Sequence, residues 1–460
     1  MKKRTIAALG TVAVMFAGSS GLAGAAPTLQ AGPPGPATDA VTTWNATAGA
    51  AALAAGLAPT TNPLHESHLY AMMHAAIHDA LNAINRRFRP YVYTARGPSD
   101  ASPDAAVAAA AHDVLVPVLN QLTPPPPVDI PAGVAVVEDA YVDALAAIPN
   151  GPAKTKGLKV GQAAAAAIVA MRAADGSDTP LLDFAYPQGT NPGEYRFTPP
   201  FTFAFAPGWA DVTPFVLRDA SQFRADPPYM VTDTEYTKDF NEIKPLGGDD
   251  ITTPSDRSAE QTEVALFWVE SSPLQWNRIA RTVSAEVGLN LWQNARLFGL
   301  LNMAMADGYV GSFETKYLYN FWRPITAIRM AADDGNPNTD ADPTWTPLVT
   351  TPPIPDYDSA HSVEGGAAAQ VFKRFFGTDH IGFETCSLTL PPGSTCDDAS
   401  PVLRSYSSFT QAANENGESR ILVGFHFRSA VEEGIEHGRQ IANRAVDRFL
   451  GPADDADDDD

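Results

Sequence analysis

Apolar residues recur at helical spacing through most of the chain. After His65, the residues Leu69, Met72, Met73, Ala76, Ile77, Ala80, Leu81 and Ile84 fall at intervals that collect side chains on one buried helical face. Alanine-rich stretches at 102–121, 132–148 and 158–174 predict three more helices, parted by turn-forming runs such as Thr123-Pro124-Pro125-Pro126-Pro127. The pattern fails between Gly176 and Gly248, where aromatics mix with prolines, as in Tyr195-Arg196-Phe197-Thr198-Pro199-Pro200-Phe201. So long a patternless stretch in a compact domain reads as a functional cover or a wrap around the body. Helical pattern resumes near Thr253, a candidate cap with Pro254 in the first turn. It predicts helices at 256–270, 276–313, 359–376 and, with interruptions, 408–450. Strand-like alternation of comparable length is missing from the sequence. The fold class is therefore mainly α, as a helical bundle or two packed bundles, with an N-terminal helical half over 62–250 and a C-terminal bundle over 251–452.

The chain ends read differently. Lys2, Lys3 and Arg4, the apolar run Ile6 to Ala17 and the small residues Ala23-Gly24-Ala25 have the layout of a secretory signal over residues 1–25. Residues 26–61, rich in Pro, Gly, Ala and Thr, form a leader with a helix-like patch near Ala40 to Leu57, and 453–460 is an acidic, solvated tail. No later apolar run reaches the roughly 20 residues of a membrane helix. The expectation is an exported protein, secreted to the extracellular space or periplasm, with no membrane partner. The chain carries 53 acidic and 31 basic residues, a net charge of −22, which argues against binding nucleic acid or anionic lipid. Export also bears on Cys386 and Cys396, because an oxidising compartment favours their pairing. Oligomeric state is not legible.

Against this acidic background, three clusters in the C-terminal third collect cations and histidines. Lys316 and Arg323 are seven residues apart, about two helical turns, which on one helix would point both at one place. Pro324 biases Arg323 out of helical geometry, towards a helix end. Asp358 is a candidate N-cap, with Ser359, Ala360 and His361 in the first turn, where free backbone N–H groups and the helix dipole favour an anion. Arg420 and His426 are six apart, with Gly424 able to relax a helix between them, and Ser419 shares a face with His426. Three cations, a hydroxyl and two histidines suit a tetrahedral oxyanion and proton chemistry on it. His65, His68, His74 and His78 include metal-compatible spacings, but on so apolar a helix they read as packed or capping histidines.

Lys316 with six residues before Arg323-Pro324, then Ser359-Ala360-His361, then Ser419-Arg420 with five residues before His426, resemble the vanadium-dependent haloperoxidase and type 2 acid phosphatase superfamily. Segments such as His74-Ala75-Ala76-Ile77-His78-Asp79-Ala80-Leu81 and Asn320-Phe321-Trp322-Arg323-Pro324 look like its exported bacterial haloperoxidase-like branch. The resemblance implies a helical bundle of that type. It implies a vanadate cofactor whose oxygens are held by Lys316, Arg323, Ser359, the N–H of Ala360 and Arg420, with His426 as axial ligand of the metal. His361, His426 and Lys316 would be the catalytic residues. The implied partners are hydrogen peroxide, halide and a small organic substrate. The same site in an acid phosphatase would hydrolyse a phosphate ester through a phosphohistidine on His426 and need no vanadate; a non-catalytic oxyanion-binding protein is a third reading. Three positions depart from the family pattern: Asp358 replaces Pro, Ala360 replaces Gly, and Ala430 replaces a carboxylate four residues after the second histidine. Glu433, seven residues after His426, is a candidate substitute for that carboxylate.

Overall fold

A computed structural model describes residues 38–123 and 128–453. The expected signal, part of the leader and the terminal aspartates lie outside the described residues. Five helices precede the irregular stretch: α1 (Ala40–Ala54), α2 (Pro63–Ile84), α3 (Pro103–Gln121), α4 (Ile130–Ala147) and α5 (Pro152–Arg172). Among the described residues one helix, α6 (Thr234–Leu246), lies within it and seven follow: α7 (Ala259–Phe267), α8 (Ser272–Val287), α9 (Leu291–Tyr319), α10 (Pro324–Met330), α11 (Ala360–Phe376), α12 (Phe409–Leu422) and α13 (Arg428–Arg448). Strands are confined, among the described residues, to two antiparallel pairs: β1 (Leu182–Asp183) with β2 (Ala204–Phe205), and β3 (Phe383–Thr385) with β4 (Arg404–Tyr406). The class is mainly α.

At the centre lie α2 and α9. Asn62 caps α2 by accepting from the His65 amide, Pro63 occupies its first turn, and every residue from Leu64 to Ile84 is buried. A helix buried on all sides must be surrounded by other elements, and α2 packs against α3, α5 and α9. The helix α1 is part of the same core, contributing Trp44, Ala48, Ala51 and Ala52. Its Asn45 donates to Asn277 of α8, which in turn donates to Asn302 of α9. The largest apolar cluster runs from Val41 to Leu450, drawing on helices before and after residue 250. No helix among the described residues is long and apolar enough to cross a membrane.

Helix α11 crosses α13 at very short range because glycines face backbone there. A Cβ at Gly438 would lie 2.0 Å from the Val363 carbonyl, and one at Gly366 would lie 2.3 Å from that of Ile435. The close approach lets the Ser359 amide donate to the Ala430 carbonyl at 2.9 Å, pinning the start of α11 to the start of α13.

The irregular stretch wraps the body, and two buried carboxylates clasp extended chain to the central helices. Asp79 of α2 accepts the amides of Tyr91, Val92 and Tyr93, and Asp307 of α9 accepts those of Phe215, Val216 and Leu217. Further along, the Tyr195 amide donates to Asn320 and the Phe205 amide to Pro353, so the wrap braces the loops after α9 and before α11.

Several boundaries differ from the sequence expectation. Helix α6 lies inside the stretch expected to lack pattern; its buried Tyr236, Phe240 and Ile243 are helically spaced, but Pro227-Pro228 before it and Pro245 within it obscure the signal. Helix α7 starts five residues after Pro254, capped by Ser258 in a capping box with Gln261, and not by Thr253. Gly288, with φ +74°, and the capping Asn290 split 276–313 into α8 and α9. Cys386 and Cys396 form a disulfide between β3 and β4.

Candidate active site

The site is built where helices end. Lys316 sits in the last turn of α9, which stops at Tyr319 because Asn320 takes a left-handed φ of +50°. Arg323 is extended, at φ −80° and ψ 155°, as the cap residue before Pro324 opens α10. The two cations are therefore not on one helical face as their spacing suggested. A loop between them and α11 brings them together. The Lys316 ammonium donates to the carbonyls of Pro355 (3.1 Å), Asp356 (2.8 Å) and Asp358. Arg323 Nε donates to the Ile354 carbonyl at 2.7 Å.

Arg420 and His426 are likewise joined by a break and not by a helix. Helix α12 ends in a paired C-terminal lock: the Gly424 amide donates to Ile421 and the Phe425 amide to Arg420, with Gly424 at φ +86°. A side chain at Gly424 would meet the Gly247 carbonyl at 2.7 Å, so backbone angle and space both demand glycine. The turn folds His426 back over the end of α12, and Ser419 and His426 share no continuous helical face. Arg323 Nη1 then donates to the Phe425 carbonyl at 2.9 Å and to His426 Nε2 at 2.8 Å.

The cap of α11 is Ser359, one residue later than expected, with its Oγ accepting from the Ser362 amide at 3.4 Å and the Ser362 hydroxyl at 2.9 Å. Ala360 is the first helical residue, so its N–H belongs to the unpaired set at a helix start. Asp358 is turned away from the cap. It accepts from Ser312 Oγ of α9 at 2.6 Å, and its other oxygen lies 2.8 Å from His437 Nδ1 of α13. His361 is half-buried, its Nε2 3.4 Å from the Glu270 carbonyl, and it feels the charges of Arg420, Lys316 and Arg323. Glu433 lies among Asp226, Asp358, Glu436 and Glu432 on α13 and does not replace the missing carboxylate.

Lys316, Arg323 and Arg420 are all at most 1% exposed, and three buried cations at close quarters are costly. Burial first, then the Arg323 charge, pulls the Lys316 pKa down to about 7 and that of Arg420 to about 9. Burial and the same cations hold His426 and His361 well below the usual histidine range, so both imidazoles are neutral near pH 7. The Nε and Nη2 atoms of Arg420 are buried without a protein partner. Asp356, fully buried, has its Oδ1 2.8 Å from His426 Nδ1 and 3.8 Å from Arg323 Nη1, and burial pushes its pKa up to about 7. Unspent donors and surplus positive charge in a dry setting suit a multiply charged anion.

Asp356, Ser312 and His437 escaped the sequence reading. Asp356 stands two residues before the Asp358-Ser359-Ala360-His361 cluster, so proximity to the motif was the available signal; Ser312 gave none, as a lone hydroxyl on a largely apolar helix, and His437 none, as one polar residue among many on α13. The four histidines near the start of α2 part company: His65 bonds Asn62 and the Ser177 carbonyl, His68 meets Asp175, His74 bonds Asn45, and His78 bonds Asn82.

Comparison with known proteins points the same way as the motif. Residues 296–454 match the family described as the VCPO second helical-bundle domain. Vanadium chloroperoxidase from Curvularia inaequalis is 27% identical over 286 residues, 50% of this chain and 46% of that protein, so the chain spans about half the length of this curated relative. A bacterial vanadium-dependent iodoperoxidase structure superposes with a TM-score of 0.73 at 23% identity, covering 90% of this chain and 97% of that one. The holo form of a bacterial vanadium-dependent chloroperoxidase gives 0.68 at 17% identity, covering 87% and 94%. At these identities the structural likeness speaks for the fold. The helical fold, the family match over α9 to α13 and the curated relative together support a likeness to the vanadium haloperoxidase superfamily, carried by the C-terminal bundle.

Proposed function

We propose that this protein is an exported vanadium-dependent haloperoxidase that oxidises halide with hydrogen peroxide. The observation that carries the reading is the pair of unpartnered, buried nitrogens on Arg420, in a buried cluster that also holds Lys316, Arg323 and a neutral His426. This donor set fits an oxyanion such as vanadate. Lys316, Arg323 and Arg420 would take its oxygens, Ser359 Oγ and the Ala360 N–H would add hydrogen bonds, and His426 Nε2 would be the ligand atom. Bound vanadate supplies Lewis-acid activation of peroxide towards halide. His361, neutral and half-buried, accepts a proton from incoming hydrogen peroxide and returns one to the departing oxygen. Lys316, whose three N–H groups are held by the carbonyls of Pro355, Asp356 and Asp358, would act through its buried charge, or by exchanging one of these carbonyls for an oxygen of the bound group. Burial of Arg323 and Arg420 keeps water from competing for the same oxygens. A small organic substrate would then react with the oxidised halide. The signal-like residues 1–25 support secretion or a periplasmic location, where the disulfide is stable.

The test is to add vanadate to the metal-free protein and follow bromide and iodide oxidation by hydrogen peroxide. Activity that appears with vanadate supports the reading. Rapid hydrolysis of an aryl phosphate, inhibited by vanadate and without halide oxidation, would replace it with the acid phosphatase reading.

A further inference from the structure

The family carboxylate four residues after the second histidine is Ala430 here, fully buried and with its carbonyl taken by the Ser359 amide. The imidazole of His426 nevertheless has a carboxylate beside it, from another element. Three contacts define the ring: Arg323 Nη1 lies 2.8 Å from Nε2 and 3.4 Å from Nδ1, and Asp356 Oδ1 lies 2.8 Å from Nδ1. An arginine only donates, and the shorter of its two contacts, to Nε2, makes that nitrogen the acceptor. In a neutral imidazole the proton then belongs to Nδ1, and Asp356 Oδ1, buried and without an aligned hydrogen-bond donor of its own, stands 2.8 Å from it. Asp356 is completely buried and His426 nearly so, with no competing water surface to satisfy either group. The carbonyls on both sides of Asp356 are held by Lys316 and Arg323, through Pro355, Asp356 and Asp358 on one hand and Ile354 on the other, which fixes where its side chain points.

We propose that Asp356 is the positioning residue for His426: it accepts from Nδ1–H, holds the ring and keeps Nε2 unprotonated, so that the lone pair Arg323 engages here is free to pass to an oxyanion. Through this contact the chain relocates a carboxylate that the family places on the helix after the histidine to the loop before α11. The arrangement follows the general rule that a partner on the far nitrogen sets the tautomer and orientation of a ligating histidine, and that losing it typically lowers metal affinity about 10–100-fold. The inference rests on the oxyanion-site reading given above, but its first readout does not depend on activity.

The experiment compares wild type with Asp356→Ala and Asp356→Asn, using full-length protein labelled with ¹⁵N-histidine. The His426 signal is identified from its loss in His426→Gln. In the wild type, the Nδ1 proton should give a strongly deshielded, slowly exchanging resonance, with Nε2 at an unprotonated shift. Asp356→Asn keeps an acceptor oxygen and should keep that resonance. Asp356→Ala should lose it, with the circular-dichroism spectrum unchanged. Vanadate affinity, measured by equilibrium dialysis, should fall about 10–100-fold in Asp356→Ala. It should stay at least at the wild-type level in Asp356→Asn, which removes a negative charge from beside the anion. A folded Asp356→Ala protein with the Nδ1 resonance unchanged overturns the proposal. Loss of the resonance in Asp356→Ala alone, in a protein whose wild type binds no vanadate, upholds the positioning role and overturns the vanadate reading.

Discussion

Replacing Asp307 by alanine should unfasten the irregular wrap and cost the protein a large part of its stability. Its carboxylate is fully buried on α9 and accepts three consecutive amides, from Phe215 at 2.6 Å and from Val216 and Leu217 at 2.7 Å each. Alanine leaves three buried N–H groups without an acceptor, each worth about 1–3 kcal/mol if no water reaches it. Against this stands the cost of burying the carboxylate, which raises its pKa to about 6 and disappears with the side chain. The net expectation is a loss of about 3–5 kcal/mol, the range seen when one partner of a buried charged interaction is removed. Asparagine keeps one of the two oxygens and should cost about half as much. Equilibrium urea unfolding followed by circular dichroism measures the global term, and amide exchange at 215–217 locates it. The Asp79 clasp on Tyr91, Val92 and Tyr93 is an internal control, because its amides should stay protected in the folded state. An Asp307→Ala protein within about 1 kcal/mol of wild type, with 215–217 still protected, would refute the reasoning.

Three further expectations rest on other buried contacts. Cys386→Ser opens a disulfide between residues ten apart and should lower stability by about 2–3 kcal/mol on the chain-entropy relation, measured by thermal or urea unfolding of the oxidised protein. Glu66 is buried with neither oxygen bonded, and burial raises its pKa from 4.5 to about 8. The folded state thus retains a proton that the unfolded state releases between those values, and stability falls as pH rises through that window, by up to about 1.4 kcal/mol per pH unit. A Tm-against-pH profile should be flatter in Glu66→Gln over that range. Gly438→Ala drives a methyl group into the Val363 carbonyl and should destabilise by at least about 1–3 kcal/mol. By parting Ser359 from Ala430 it should also weaken vanadate binding, read by dialysis.

What could be read from residues alone divides by range. The helices α2, α3, α4 and α5 are legible because apolar or alanine-rich periodicity is a local property, and so are the motif cations, whose order along the chain is itself the signal. The way those cations meet is not local. Lys316 and Arg323 converge through carbonyls of 354–358, and Arg420 and His426 through a helix-terminating turn at Gly424, so regular helical projection misassigns both pairs. A capping site one residue off, at Ser359 in place of Asp358, reflects a choice made by Ser312 and His437, more than 40 residues away in either direction. Glu433 looked a suitable carboxylate by helical phase, yet α13 turns that phase towards other acids. Asp356 acts across 70 residues of sequence, through a loop whose path no periodicity encodes.

Helix termini usually fray before a fold gives way, and here each terminus that carries a site residue is buried. Lys316, Arg323, Ser359 and Arg420 are held at the ends of four different helices with almost no solvent contact. The pocket therefore has no shallow, partial way to come apart. Heat should remove binding and structure along one curve, and the directed evolution of altered substrate scope should favour changes in the exposed wrap, since loosening these helix ends risks the whole molecule.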